Sequence, residues 1–303
     1  MKTITKTLSA GAALALSAML VTGCGADQTA DAASSATISA AADFHSDKPS
    51  ADGKGFYAPI NGMQIYYEIH GTGAPLVLLH GGLSTADATF GALLPELAKT
   101  RKVVSVELQA HGHTADIDRP LRYETMADDV ASLITHLGLG QADVLGYSLG
   151  GGVALQLAAR TPTVVDKLVV ASAPYRSDGW LPETRAGMAA MNPGAMLDSP
   201  MHALYAQTAP KPGDWPALVD KTRTLLGADY DWTSQIAAIK APTLLVSAES
   251  DALYREHVIQ FAGLLAAGSR LEIIPGTTHY DLMYRADLLL PLIAPFLDAP
   301  TSR

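Results

Sequence analysis

The chain has 303 residues, 48% of them hydrophobic, so it can bury one substantial core or two smaller ones. Lys and Arg number 21 against 30 Asp and Glu, a net charge of −9. This charge argues against a nucleic acid partner, because phosphate binding needs a basic surface. The single cysteine excludes an internal disulfide and a cysteine-based zinc site.

Residues 1–23 have the layout of a secretory signal peptide. Lys2 and Lys6 precede an apolar run over residues 8–21, which is shorter than the roughly 20 residues that span a bilayer. The small residues before Cys24 resemble a bacterial lipobox. That resemblance implies cleavage before Cys24, a lipid anchor on it, and export to the periplasm or cell surface. An ordinary signal peptide with a chance cysteine is the alternative.

Residues 24–55 are predicted to be the lipidated N-terminus and a flexible tether. They consist mainly of Ala, Ser, Asp, Gly and Thr, which bury too little surface to offset the entropy of ordering. A random coil of about 30 residues reaches roughly 30 Å. The tether would therefore hold a domain of residues 56–303 away from a membrane.

From residue 56 onward, predicted strands alternate with predicted helices. Asn61-Gly62 joins two strand-like segments and indicates a hairpin. Continuous apolar runs predict buried strands at 76–79, 103–106, 143–145, 168–170, 244–246 and 271–274. An apolar stripe predicts a helix over 124–137. This order predicts an α/β fold, a mostly parallel sheet with helices on both faces. Residues 174–236 lack strand patterns and predict an inserted helical cap.

The segment Gly146-Tyr147-Ser148-Leu149-Gly150 follows a predicted strand and opens a predicted helix. A G-x-S-x-G segment in this context predicts a nucleophile elbow, a strained turn that holds the serine hydroxyl clear of the sheet. The glycines leave room for the neighbouring strand and helix. The start of the helix directs free amides at a developing oxyanion. Ser148 is therefore the candidate nucleophile.

A serine of ordinary pKa needs a base and an orienting acid. Among nine histidines, His279 follows the last predicted strand and so lies at the sheet edge that exposes Ser148. The acid should follow another strand at this edge. Asp251 lies further into such a loop than Glu249 and is preferred to it, while Asp178 falls within the cap. The order Ser148, Asp251, His279 is the nucleophile–acid–base order of α/β-hydrolases.

The second part of an oxyanion hole is expected in the loop after an early strand. His80-Gly81-Gly82 follows the strand over residues 76–79. The amides of Gly82 and Leu149 are predicted to bind the oxyanion together, with His80 in a structural role.

Over residues 56–300 the sequence resembles the capped, small-molecule branch of the α/β-hydrolase superfamily, on the elbow, the His80-Gly81-Gly82 loop, the acid loop and the His279 loop. Many relatives carry Asp-x-Arg-Gly-His-Gly after the second core strand. This chain instead has Glu-Leu-Gln-Ala-His-Gly at 107–112, which leaves its subfamily open. His111 and His113 have the spacing of a metal pair, but no third ligand is recognisable, so no metal or cofactor is expected.

Relatives with a carboxylate nucleophile include haloalkane dehalogenases and epoxide hydrolases, and Ser148 argues against both. The resemblance then implies a serine hydrolase of small carboxylic esters or lactones that works through an acyl-enzyme. Alternatives are a C–C bond hydrolase, a peracid-forming hydrolase, or a binding module without turnover. The expected partners are a small-molecule substrate and, through Cys24, a membrane.

Overall fold

The computed structural model describes residues 47–51 and 53–300, and within these a nine-stranded sheet carries helices on both faces. Its strands are β1 Lys48–Pro49, β2 Phe56–Ile60, β3 Met63–His70, β4 Ala74–Leu79, β5 Arg101–Val106, β6 Ala142–Tyr147, β7 Val165–Ala171, β8 Thr243–Ser250 and β9 Arg270–Thr278. Their order is β1-β2-β3-β5-β4-β6-β7-β8-β9, with β4 to β9 parallel and β1 to β3 antiparallel at one edge. The predicted fold is confirmed.

The hairpin between β2 and β3 forms where Asn61-Gly62 predicts it. Both residues have positive φ, 47° for Asn61 and 84° for Gly62, and Ile60 pairs with Met63 across the turn. A two-residue turn with both central residues at positive φ matches the twist of its strands, and Asn and Gly adopt that conformation readily. The turn thus fixes the register of the antiparallel edge.

Ten α-helices accompany the sheet in the described residues. They are α1 Ala86–Phe90, α2 Leu94–Leu97, α3 Tyr123–His136, α4 Leu149–Arg160, α5 Pro182–Ala189, α6 Pro200–Thr208, α7 Trp215–Gly227, α8 Thr233–Ala238, α9 Arg255–Leu264 and α10 Ala286–Asp298. Helices α3, α4, α8 and α9 contribute to one apolar cluster, and α1, α2 and α10 to another. Strand β4 divides its side chains between them, Val77 and Leu79 to the first, Leu76 and Leu78 to the second.

Helices α5, α6 and α7 lie in the insertion between β7 and β8, where the sequence predicts a cap. A small apolar cluster of α6 and α7 contains Tyr205, Trp215 and Val219 and packs on Leu83 and Ala110, two loop residues of the core. Helix α8 instead places Ile236 in the cluster with α3 and α4. The cap therefore rests on the loops that follow β4 and β5.

The residues that the structure describes include some that precede the predicted domain boundary at residue 56. Strand β1 pairs with β2, and Asp47 accepts hydrogen bonds from Tyr67 Oη at 2.6 Å and from His136 Nε2 at 2.8 Å. The predicted tether to residue 55 is thus too long by at least these residues, because the composition of 47–55 does not reveal their partners in β3 and α3. Cys24 and residues 1–46 lie outside the described residues.

None of the helices within 47–51 and 53–300 is both long enough and apolar enough to cross a membrane.

Candidate active site

Ser148 stands at a strained turn between β6 and α4. Its φ is 52° and its ψ is −115°, a conformation that non-glycine residues rarely adopt. A β-carbon on Gly146 would lie 2.3 Å from the Gly150 carbonyl oxygen, and one on Gly150 would lie 2.1 Å from the Leu79 oxygen. Both flanking positions therefore require glycine, which is the geometry of a nucleophile elbow.

Ser148, His279 and Asp251 form one chain of hydrogen bonds. His279 Nδ1 lies 2.8 Å from Asp251 Oδ1, and His279 Nε2 lies 3.2 Å from Ser148 Oγ. Because a carboxylate only accepts, Nδ1 carries the proton and Nε2 is free to accept from the serine hydroxyl. The structure thus brings together the three residues that the sequence singles out.

The Asp251 carboxylate is buried and fully engaged. Besides His279, Oδ1 accepts from the amide of Ala252, and Oδ2 accepts from Ser172 Oγ, Ser247 Oγ and the amide of Ala248. Burial pushes the pKa of Asp251 upward, but the hydrogen bond and charge of His279 and the other donors outweigh it, so the pKa is lowered. Asp251 is held as a carboxylate facing His279.

The two other candidate acids lie elsewhere. Glu249 is exposed and accepts a hydrogen bond from the amide of Gly276 at 2.9 Å. Asp178 is also exposed and pairs with Arg176 at 3.1 Å. Neither carboxylate is a hydrogen-bond partner of His279 in the described residues.

The loop after β4 runs directly against the elbow. A β-carbon on Gly82 would lie 3.3 Å from Cδ1 of Leu149, and one on Gly81 would lie 3.0 Å from the ring of Tyr147. Among the hydrogen bonds of residues 47–51 and 53–300, the amides of Gly82 and Leu149 have no backbone acceptor. Two unsatisfied amides beside Ser148 suit an anionic oxygen.

His80 supports this loop from beneath. Its Nδ1 donates to the Gly81 carbonyl at 2.7 Å, and its Nε2 accepts from the Leu108 amide at 3.1 Å. Burial, with a smaller contribution from the charge of neighbouring His111, lowers the pKa of His80 to about 3. A neutral His80 therefore joins the loop after β4 to the loop after β5, and its role is structural.

The unusual loop at residues 107–112 is closed by its own hydrogen bonds. Glu107 Oε2 accepts from the backbone amide of His113 at 2.5 Å and lies 2.9 Å from its Nδ1. A β-carbon on Gly112 would lie 2.2 Å from the same oxygen. His111 Nδ1 donates to the Gln109 carbonyl at 2.9 Å. Both histidines thus serve the loop, and the described residues contain no group of three or more side chains suited to a metal.

The first part of the cap contacts His279 through Trp180. The Trp180 ring meets the His279 ring edge to face, with centroids 5.6 Å apart, and only 2% of Trp180 is exposed. This segment is tied to the acid loop by backbone hydrogen bonds, from Leu181 to Ala252 and from Tyr254 to Gly179, each 2.9 Å. The Trp180 side chain of the cap therefore forms one wall of the site beside His279.

The sequence does not single out three side chains that support the site. Ser172 and Ser247 bind Asp251, and the Tyr147 hydroxyl donates to the His279 carbonyl oxygen. Ser172 and Tyr147 did carry a signal, because each lies at the C-terminal end of a parallel strand, where Ser148 and His279 also lie. Ser247 carries the same signal in the sequence, because it directly follows the strand predicted over residues 244–246, although β8 extends to Ser250.

Several known proteins of similar sequence are hydrolases. The chain is 24% identical to 2-(acetamidomethylene)succinate hydrolase of Mesorhizobium japonicum over 249 residues, 74% of this chain and 88% of that protein. It is 36% identical to 2-hydroxymuconate semialdehyde hydrolase of a Pseudomonas species over 112 residues, 36% of this chain and 40% of that protein.

Solved structures share the fold. The enol-lactonase of Burkholderia xenovorans superposes with a TM-score of 0.64 at 22% identity, covering 80% of this chain and all of that one. The sequence model of the alpha/beta hydrolase family matches residues 76–291, which include the elbow, the acid loop and His279. The chain belongs to the alpha/beta hydrolase family.

Proposed function

We propose that this protein is a serine hydrolase that cleaves small carboxylic esters or lactones through an acyl-enzyme on Ser148. The observation that carries the proposal is the continuous chain from Asp251 through His279 to Ser148 Oγ, ending at a strained elbow. Side chains in this arrangement act together as nucleophile, base and orienting acid.

In the acylation step, Ser148 Oγ attacks the substrate carbonyl carbon while His279 Nε2 takes the hydroxyl proton. The carbonyl electron pair moves to the oxygen, which the amides of Gly82 and Leu149 stabilise. Loss of one such donor typically costs about 3–4 kcal/mol of transition-state stabilisation. Asp251 stabilises the imidazolium that forms.

The intermediate then collapses and expels the leaving oxygen, which receives the proton from His279 Nε2, and this completes acylation of Ser148. Water then enters, gives a proton to His279 and attacks the acyl carbon. Collapse of this second intermediate releases the acid and returns the proton to Ser148 Oγ. The protein's own residues supply every proton transfer.

A second candidate is hydrolysis of a C–C bond. It is favoured by the 36% identity to 2-hydroxymuconate semialdehyde hydrolase over the segment the two chains share. The leaving group would then be a carbanion, which must be protonated on carbon rather than on oxygen. The same serine, histidine and oxyanion loop would serve, so substrate selection separates the two candidates.

Two experiments test the proposal. A fluorophosphonate probe should label the wild type and fail to label Ser148→Ala, because only an activated serine is phosphonylated. Absence of labelling in the wild type would reject the enzyme in favour of a binding module.

The second experiment compares p-nitrophenyl esters of varied acyl length, lactones, and a vinylogous diketo acid, with peroxide as an added nucleophile in one series. Turnover of esters or lactones alone is the expected result.

We further propose that the protein is exported and anchored by a lipid on Cys24. The basic, apolar and small-residue segments that precede Cys24 support this proposal. Replacement of Cys24 with Ala should move the protein from the membrane fraction to the soluble fraction. Unchanged membrane association in Cys24→Ala would contradict the anchor, and hydrolytic activity should be the same in both forms.

A further inference from the structure

A second serine, one strand away, shares the positive φ of Ser148. Ser148 follows β6 with φ 52°, and Ser172 follows β7 with φ 50°. The amide of Ser148 donates to the Ala171 carbonyl, and the amide of Ser172 donates to the Val246 carbonyl, both at 2.9 Å. Positive φ at a residue with a side chain is strained, and strain of this kind concentrates at functional sites.

The strained turn directs the Ser172 hydroxyl at the acid of the triad. Ser172 Oγ donates to Asp251 Oδ2 at 2.6 Å, and only 1% of Ser172 is exposed. The other donors to Asp251 Oδ2, Ser247 Oγ and the Ala248 amide, come from the strand that leads into the acid loop. Ser172 alone among these donors comes from β7, so it ties the carboxylate to the strand beside the elbow.

This bond bears on how Asp251 faces His279. A carboxylate can rotate about its terminal torsion, and rotation would take Oδ1 away from Nδ1 of His279. A donor on Oδ2 from a second strand opposes that rotation.

We propose that Ser172 is a positioning residue of the triad, whose strained backbone aims its hydroxyl so that Asp251 presents Oδ1 to His279. This inference rests on the proposed function of the triad. It predicts that loss of the hydroxyl lowers kcat about tenfold with little change in KM, because the base is misplaced rather than the substrate.

The decisive variants are Ser172→Gly and Ser172→Ala. Both lack the hydroxyl, but glycine relieves the strain at positive φ, so Ser172→Gly should be at least as stable as Ser172→Ala. Both should lose kcat to the same extent despite this difference in stability. Ser247→Ala is the matched control, because it removes a hydroxyl from the same oxygen and leaves the bond to β7 intact, and its loss should be smaller.

The proposal is overturned if Ser172→Gly keeps the wild-type kcat, or loses no more of it than Ser247→Ala does. A readout that needs no turnover separates this result from failure of the proposed function. The Nδ1 proton of His279 should give a low-field NMR signal in the wild type that is shifted or broadened in Ser172→Gly. An inactive wild type with that change would refute the hydrolase and retain the role of Ser172, whereas an unchanged signal would refute the role.

Discussion

Two regions of the molecule are built in contrasting ways. One is the edge formed by the C-terminal ends of the parallel strands, which carries Ser148, and the other is the cap. At the sheet edge, strained residues are held by buried neighbours, by backbone hydrogen bonds and by glycines that no other residue could replace. In the cap, α5 has no buried residue and α6 has only Tyr205, and only α7, which packs on the core, has five. Rigid elements fix reacting atoms precisely, whereas loosely packed ones tolerate variation. We infer from this contrast that the core fixes the positions of the candidate reacting groups, and that the cap can vary without displacing them.

The largest expected effect concerns the acid at the sheet edge. Asp251→Asn should lower kcat about 10⁴-fold, because an amide cannot hold the required tautomer of His279. Glu249→Gln is the matched control in the same loop, and it should retain near-wild-type activity because its side chain is exposed and still accepts from Gly276. Steady-state kinetics of both variants check the prediction. Equal losses would remove the distinction between the two carboxylates.

A second prediction sharpens the contrast through acid stability. Burial lowers the pKa of His80 to about 3 and that of His111 to about 4, below the ordinary value of about 6.5. The unfolded chain therefore binds protons that the folded chain excludes. These two imidazoles therefore do not lower the free energy of unfolding above about pH 6.5. As the pH drops from 6.5 toward 4, this free energy decreases.

Each such histidine lowers the free energy of unfolding by about 1.4 kcal/mol per pH unit within this window. Urea unfolding at several pH values measures how steeply the free energy of unfolding changes with pH. In His111→Gln this slope should be smaller by the equivalent of about one bound proton. A free energy of unfolding that does not change between pH 6.5 and pH 5 would mean that these imidazoles do not need to stay neutral in the fold.

The smallest expected effect lies where the cap meets the core. Lys221 of α7 donates to Asp116 Oδ2 at 2.6 Å, to the Ile117 carbonyl at 2.8 Å and to the Arg119 carbonyl at 2.9 Å. Lys221→Met should destabilise the protein by about 1–3 kcal/mol, because partly buried acceptors lose their donor. It should also speed proteolysis within the cap and change KM more than kcat. Lys240→Met, at an exposed position, is the control and should change neither.

If Lys221→Met changed kcat as strongly as it changed KM, the cap would take part in the reaction itself. The contact between Trp180 and His279 marks the place where such coupling would arise. The separation of core and cap would then have to be redrawn at Trp180.

The core and its site were largely predictable from the sequence because their signals are local. Ser148, His279 and Asp251 each follow a strand that a continuous apolar run predicts. The dipeptide Asn61-Gly62 likewise predicts the turn that it forms. Ser172 also follows a strand but was not predicted, because its importance depends on Asp251, which lies 79 positions away. Strand β1 was missed for the same reason, since Asp47 finds its partners only in the folded chain.

The cap was predictable as an insertion but not in its packing. In the structure Met191 and Met196 pack against the cap cluster, while Met201 is exposed. Helical periodicity is weak in short segments of Gly, Pro and Met, so it does not indicate which side faces the core. The substrate therefore has to be found by experiment.

The central claim is that Ser148 carries an acyl group during turnover. The most direct measurement mixes the protein with a p-nitrophenyl ester, quenches the reaction in acid within the first turnover and analyses the peptides by mass spectrometry. The account predicts a burst of nitrophenol and one acyl group on the peptide that contains Ser148, with neither in Ser148→Ala. Turnover without a covalent intermediate, or an acyl group on a different residue, would contradict it.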